Sequence, residues 1–207
     1  AMLHFFGIPL TGSDETTLCI ALDKALTKRI VSSYKIRTPR CVVLSAKTPL
    51  SAGSLRYPVI IKPNAEGSSK GISDISIVKN RKELRELVKR NISLYRQDML
   101  AEEYIEGREF TVGILGNGRN IKVFPPMEIV YKKFTQENYH VYNYKLKQSF
   151  TEYVDYQCPA ALTKEQETEM TEMSRKIYNI LGCMDLARID FRMAADGRIY
   201  FIEINPL

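Results

Sequence analysis

Only two histidines, His4 and His140, occur in the 207 residues, too few to favour imidazole-based zinc sites or nucleophilic triads. The four cysteines (Cys19, Cys41, Cys158 and Cys183) have neither metal-ligand spacing nor the density of a disulfide scaffold. They read as buried free thiols of a cytoplasmic protein. Long apolar runs are missing too. Stretches such as Tyr57 to Ile61 are too short to span a bilayer, and no secretory signal is recognised. Nor is there a dense basic run. The formal charge is +6, but Lys24, Lys28, Lys62, Lys70 and Lys122 lie in different segments. That scatter argues against nucleic acid as the main partner and leaves a lysine-lined anion pocket as the other reading.

What is present suits an ordinary soluble chain. A hydrophobic content of 44% is enough to give one large domain, or two small ones, real cores. The chain opens on an apolar run, Leu3 to Ile8, and closes on Asn205-Pro206-Leu207 directly after a strand. Both ends read as cuts in a longer protein.

Ser13 or Asp14 caps a helical stretch towards Tyr34, interrupted near Asp23, with Leu18, Leu22, Leu26 and Ile30 as the expected apolar stripe. Strands are expected at Cys41 to Leu44, Pro58 to Lys62, Ile72 to Val78 and Met99 to Ile105, with a helix from Asn80 to about Asn91. Beyond Glu106-Gly107 the pattern becomes strand-rich, at Glu109 to Leu115 and Ile121 to Val130. Tyr131 to Tyr156 is polar, aromatic and irregular, as functional loops often are. Thr163 and Gln166 form a capping box for a helix ending at Gly182, with Met170, Met173, Ile177 and Ile180 as its buried stripe. Two strands follow, Leu186 to Ala194 and Arg198 to Asn205.

The turn between these last strands, Ala195-Asp196-Gly197-Arg198, predicts a two-residue type I′ hairpin centred on Asp196-Gly197. Asp190 then faces Glu203, Arg188 faces Asn205, Ile189 faces Ile204, Phe191 faces Ile202 and Met193 faces Tyr200. Alternation puts Arg188, Asp190, Glu203 and Asn205 on one face. Opposed carboxylates about 5 Å apart repel unless a positive charge sits between them. Oxygen donors of this kind suit Mg²⁺. The plainer alternative is a solvated face on which Arg188 pairs with Asp190.

Ile60-Ile61-Lys62-Pro63 reads as a strand ending in a lysine, followed by the small-residue run Asn64 to Gly71 with Ser68 and Ser69. Such a loop can turn several N–H groups towards one anion, with Lys62 as a point charge. It equally fits a glycine-serine hairpin, and it is not a P-loop. The acidic connection Glu102 to Glu109 passes as a charged turn or as the edge of a nucleotide site, with Glu102 accepting from adenine and Glu109 holding ribose.

Taken together, these segments resemble the D-alanine–D-alanine ligase family of ATP-grasp enzymes. The match runs from Gly7-Ile8-Pro9-Leu10-Thr11-Gly12-Ser13 through Asp23-Lys24, Lys62-Pro63, Glu66-Gly67-Ser68-Ser69 and Glu102 to Phe110. It continues through Cys158-Pro159-Ala160, Leu181-Gly182-Cys183, Ala187-Arg188-Ile189-Asp190-Phe191 and Glu203-Ile204-Asn205-Pro206. The ordered set carries the likeness rather than any single motif.

The resemblance implies an α+β ATP-grasp fold whose two subdomains, with mainly antiparallel sheets, clamp ATP. Residues 1–103 would form the central subdomain, with a linker from a missing N-terminal domain, and 104–207 a truncated C-terminal one. It implies ATP contacts from Lys24, Lys62, Glu66, Ser68, Ser69, Glu102, Glu103, Ile105 and Glu109. Asp190, Glu203 and Asn205 would bind two Mg²⁺ ions, with Mn²⁺ as a substitute, and Arg188, Lys62 and Ser68 would form the catalytic set. The implied reaction joins two amino acids through an acyl phosphate in the cytoplasm, for peptidoglycan precursor synthesis. Small-molecule substrates are implied, with no nucleic acid or membrane and with room for a homodimer of the full-length protein. This piece alone is expected to be inactive.

One departure bears on the substrate. Where the family commonly has Tyr-Asp-Tyr-Glu-Ala-Lys-Tyr, this chain has Tyr142-Asn143-Tyr144-Lys145-Leu146-Lys147-Gln148. The changed charge leaves open a different amino acid or small carboxylate, or a nucleotide-binding module without ligase activity.

Overall fold

The computed structural model describes residues 2–47, 51–66, 76–132 and 154–206. After a single turn, α1 (Met2–Phe5), Asp14 caps α2 (Glu15–Leu22) by accepting from the Thr17 amide at 2.7 Å. Asp23 ends α2 and caps α3 (Lys24–Ser33), accepting from the Leu26 amide. That break resets the helical phase, so a stripe counted through one continuous helix does not carry across it. Leu18 and Leu22 of the expected stripe are exposed, and Thr17, Lys24, Ala25, Thr27, Lys28 and Val31 are buried instead.

A small antiparallel sheet has the order β1 (Cys41–Leu44), β4 (Met99–Glu103), β2 (Val59–Pro63) and β3 (Ser76–Val78). The expected strand from Ile72 falls partly on residues outside the described ones. Asn80 accepts from the Lys82 and Glu83 amides to start α4 (Arg81–Tyr95), which continues four residues beyond the expected end and turns Leu84 and Val88 inward. These residues join Leu44, Val59, Ile61, Met99 and Ala101 in one core.

The larger antiparallel sheet has the order β10 (Ile199–Pro206), β9 (Leu186–Ala194), β5 (Gly107–Leu115), β7 (Met127–Tyr131) and β8 (Val154–Gln157), with β6 (Lys122–Val123) also paired to β5. Pro125-Pro126 splits the single strand expected over Ile121 to Val130, because proline supplies no ladder N–H. The helix α5 (Lys164–Ile180) starts at the expected Thr163–Gln166 capping box and buries Met170, Ser174, Ile177 and Tyr178. Its core also takes in Val31 and Ile36, so residues 1–103 do not share one core. Residues 37–40 lie between the sheets: the Arg37 carbonyl accepts from the Phe201 amide, and the Arg40 carbonyl from the Glu103 amide. All four cysteines are free, but Cys19 and Cys158 are exposed rather than buried.

The β9–β10 pairing corrects part of the hairpin and keeps the rest. The Ala194 and Arg198 backbones bond to each other, making a three-residue loop with Gly197 at φ 83° instead of a two-residue type I′ turn. Phe201 therefore faces Phe191, and Ile199 faces Met193, one residue away from the expected partners. A bulge between Phe201 and Glu203 then shifts the register back. Asp190 opposes Glu203 and Arg188 opposes Asn205, as the sequence predicts.

Gly107 opens β5 at φ 143°, where an added Cβ would overlap the backbone carbonyl of Met193. Gly197, also at positive φ, meets only the Gln166 side chain, at 3.7 Å. Gly107→Ala is therefore expected to destabilise by about 3 kcal/mol or more, against about 1 kcal/mol for Gly197→Ala. Urea unfolding of the two variants measures this, and equal losses would show that the close approach at Gly107 is not felt.

Candidate functional site

The site begins where α3 docks on the end of β2. Asn64 provides the joint: its carbonyl accepts from the Lys24 amide, its Oδ1 from the Ala25 amide, and its Nδ2 donates to Asp23. Gln97 ties the loop that follows, accepting from the Ala65 amide and donating to Glu66. Lys24 Nζ donates to the Glu66 carbonyl at 2.6 Å. Ser68 and Ser69 lie outside the described residues.

One turn along α3 from Lys24, the Lys28 side chain is 2% exposed. Its Nζ lies 2.9 Å from Glu102 Oε2, and Lys62 Nζ donates to Glu102 Oε1 at 3.2 Å. The Glu102 carboxylate is thus buried between two lysines, and its Oε2, although close to Lys28, has no hydrogen-bond partner. Glu103, the next residue, accepts from the Arg56 amide and guanidinium. The sequence pointed to Glu102 as a base-reading side chain, and the structure shows it as the shared partner of Lys28 and Lys62.

Burial and charge set the ionisation of this group. Burial pulls Lys24 and Lys28 below the ordinary lysine range, only partly offset by nearby glutamates. Burial also pulls on Lys62, but Glu102 and Glu203 outweigh it and hold that ammonium above the usual value. For Glu102, burial pushes upward and Lys28 and Lys62 push down harder, leaving it ionised below the usual carboxylate range. Three lysines thus face two carboxylates, Glu102 and Glu203, so the cluster holds an excess of positive charge that an anion would balance.

The acidic pair of β9 and β10 lies beside it. Asp190 accepts from Thr111 Oγ1 at 2.8 Å and from Arg188 Nε and NH2, both at 3.0 Å. Burial raises the Asp190 pKa, and the opposing Glu203 adds to this against the pull of Arg188. Glu203 is lowered instead, because Lys24, Lys62, Arg188 and Lys28 outweigh its burial. The Asn205 Nδ2 is buried without a hydrogen-bond partner. Turning that amide about its last bond puts an oxygen in the same place. Among the described residues no group of three or more His, Cys, Asp or Glu converges on one point. Two carboxylates and an amide oxygen therefore fit a hard cation completed by water and phosphate oxygens, and not a closed structural metal site.

The last group gathers on β5. Glu109 Oε2 accepts from Tyr131 Oη at 2.8 Å and from Arg192 NH1 at 3.2 Å. Arg192 also donates to Tyr104 Oη and the Gly107 carbonyl, and stacks over the Tyr104 ring. Burial raises Glu109, with Arg192 opposing. Sequence reasoning missed Lys28, Thr111, Tyr131 and Arg192 as parts of this constellation. Lys28 carried a signal in its four-residue spacing from Lys24, whereas Arg192 sits in a strand whose partners only the fold reveals.

The model of the D-ala D-ala ligase C-terminus matches residues 43–207. A D-alanine–D-alanine ligase from Cupriavidus pinatubonensis is 34% identical over 206 residues, covering 99% of this chain and 60% of that protein. One from Aquifex aeolicus is 34% identical over 211 residues, covering 100% of this chain and 65% of its own length. Among solved structures, the VanG D-Ala:D-Ser ligase from Enterococcus faecalis superposes with a TM-score of 0.80 at 27% identity, over 99% of this chain and 57% of that one. The D-alanine–D-alanine ligase from Bacillus anthracis complexed with ATP gives 0.76 at 25%, over 99% and 61%. The chain thus spans under two thirds of the relatives it matches.

Glu102→Gln would leave Lys28 buried without its counter-charge. The expected loss is about 3 kcal/mol at neutral pH. Because the folded-state pKa of Glu102 is depressed, its contribution is full above the ordinary value of 4.5 and is lost as pH falls through the lower folded value. Urea titrations across pH should show the gap between wild type and variant closing on the acid side. A gap that stays constant would contradict the assignment.

Proposed function

Because this chain belongs to the D-alanine–D-alanine ligase family, we propose that the intact protein is an ATP-dependent ligase joining two amino acids through an acyl phosphate. The product proposed is D-alanyl-D-alanine for peptidoglycan precursors. The observation that carries this reading is the buried positive excess of Lys24, Lys28 and Lys62 beside the opposed Asp190 and Glu203. A polyphosphate with a hard cation complements that pattern of charge.

In this reading Lys24 and Lys62 bind phosphate oxygens, and the loop through Glu66, Ser68 and Ser69 covers them. The backbone of Glu103 to Ile105 takes the adenine edge, and Glu109, oriented by Tyr131 and Arg192, holds ribose hydroxyls. Asp190, Glu203 and Asn205 would hold Mg²⁺, two ions or Mn²⁺ in their place, which supplies charge neutralisation at the transferring phosphate. The carboxylate of the first amino acid attacks the γ-phosphorus and ADP leaves. The amine of the second attacks the acyl carbon and inorganic phosphate leaves. Arg188 donates to the oxyanion of the tetrahedral intermediate. The proposed setting is cytoplasmic, with small-molecule substrates, no nucleic acid or membrane, and a homodimer of the intact protein. Among the described residues no helix is long and apolar enough to cross a membrane.

A second reading keeps the chemistry and changes the substrate to a different amino acid or small carboxylate. Its motive is the sequence Tyr142-Asn143-Tyr144-Lys145, which lies outside the described residues and departs in charge from the family pattern.

The intact protein is expected to release ADP from Mg-ATP only when an amino-acid substrate is added. A coupled ADP assay with D-alanine, D-serine and other amino acids checks this. Asp190→Asn and Glu203→Gln should each lower kcat/KM about 100-fold or more, and a double variant with unchanged turnover would remove the metal assignment. Turnover with another amino acid but not with D-alanine would retain the ligase and replace its substrate.

A further inference from the structure

Lys28 is given no ligand contact in the proposed chemistry, yet its ammonium is among the most deeply buried charges described. Besides its ion pair with Glu102 on β4, its Nζ donates to the Ile202 carbonyl at 2.8 Å and to the Phe201 carbonyl at 3.4 Å. It also stands 5.5 Å from the centroid of the Phe201 ring. One side chain from α3 thus reaches a strand of the small sheet and the bulge of the large one. Burying an ammonium is costly unless it is fully paired.

We propose that Lys28 is a positioning residue that sets Lys62 through Glu102 and sets Glu203 through the carbonyls of the β10 bulge. The proposal rests on the nucleotide reading above and deepens it.

Two arguments support the two halves. Lys28 places its charge 2.9 Å from Glu102 Oε2, while Lys62 bonds the other oxygen, Oε1, at 3.2 Å. That contact is longer than a tight charge-assisted bond, and an ammonium has three donors, so Lys62 keeps N–H groups for a second anion. Without Lys28, both oxygens of Glu102 would fall to Lys62 and neutralise it.

The second half concerns register. At the bulge, on the outer strand of the sheet, buried carbonyls need a donor other than a ladder N–H, and Lys28 supplies it. If the bulge relaxed, the pairing that holds from Ile199 to Phe201 would continue and place Glu203 opposite Ile189. A slip of one residue turns a side chain to the opposite face, so the Glu203 carboxylate would leave Asp190 for the core.

The test is Mg-ATP binding by the intact protein, measured by calorimetry, with circular dichroism reporting the fold. Lys28→Met is expected to weaken Mg-ATP about ten-fold and to raise the Mg²⁺ concentration needed for half-maximal binding. If that variant does not fold, Lys28→Met/Glu102→Gln removes both charges together and should show the same loss, since Lys62 has then lost its tether. A merely structural Lys28 leaves both readouts unmoved in any variant that folds, so wild-type binding in either one overturns the proposal. Failure of both variants to fold makes Lys28 a structural residue and overturns it too. Absence of Mg-ATP binding by the wild type would instead reject the nucleotide reading itself.

Discussion

The carboxylate of Glu102, shared between Lys28 and Lys62, is the contact on which the rest of the cleft depends. It lies on β4, whose neighbours β1 and β2 fix its position in the small sheet, while Lys28 arrives from a helix whose apolar residues belong to the core of the large sheet. No apolar contact could do the same work. Packing of methyl groups tolerates small slides, whereas a buried ion pair with two lysines on one carboxylate fixes distance and direction together. The two sheets are consequently held in a mutual position that brings Lys24 and Lys62 near Glu203, as the charge influence of each on the others records.

How much of this was legible in the sequence follows from how local each feature is. The Thr163–Gln166 capping box, the Asn80 cap and the break at Asp23 are settled by residues three or four apart, and each stands where the sequence puts it. The opposition of Asp190 and Glu203 was also legible, but through two shifts that cancel. The loop of Ala195, Asp196 and Gly197 moves the register by one residue, and the bulge at Ile202 moves it back. A trace of the bulge is present in the sequence: Ile199 and Phe201 are buried with one phase, and Ile204 and Pro206 with the other. The apolar Ile202 between them hides the change, because two-residue alternation cannot say which apolar neighbour is the extra one.

Burial of charge was not legible at all. Lys24 and Lys28 share one face of α3, and on pattern alone that face belongs to solvent, while Leu18 and Leu22 belong to the core. The fold reverses both assignments, because the partners of Lys28, Glu102 and the carbonyls of Phe201 and Ile202, come from residues 74 to 174 positions away, and that of Lys24, the Glu66 carbonyl, from 42 positions away. Arg192 is the same case on β9, where its alternation from Asp190 predicts a shared face and its partners Glu109, Tyr104 and Gly107 come from β5 and the strand connection before it. Local periodicity reads which residues share a face; it does not read what covers that face.

The burial of so many charges needs a reason beyond stability, since a well-packed apolar cluster of the same volume would stabilise the fold at least as much. Charge confers a site that is electrostatically incomplete. Glu203 is held ionised by four cations around it, and Asp190 is held by Arg188 and Thr111, while the lysines retain more positive charge than Glu102 and Glu203 return. Such a site is not completed by its own groups, since Glu102 Oε2 and Asn205 Nδ2 are buried without hydrogen-bond partners. It gains most from a ligand that carries negative charge to the lysines and positive charge to the acidic pair at once. In the function proposed above, that dual requirement would distinguish a metal–polyphosphate complex from either partner alone, and interlocking of the two sheets and selection of the ligand would be consequences of one buried arrangement.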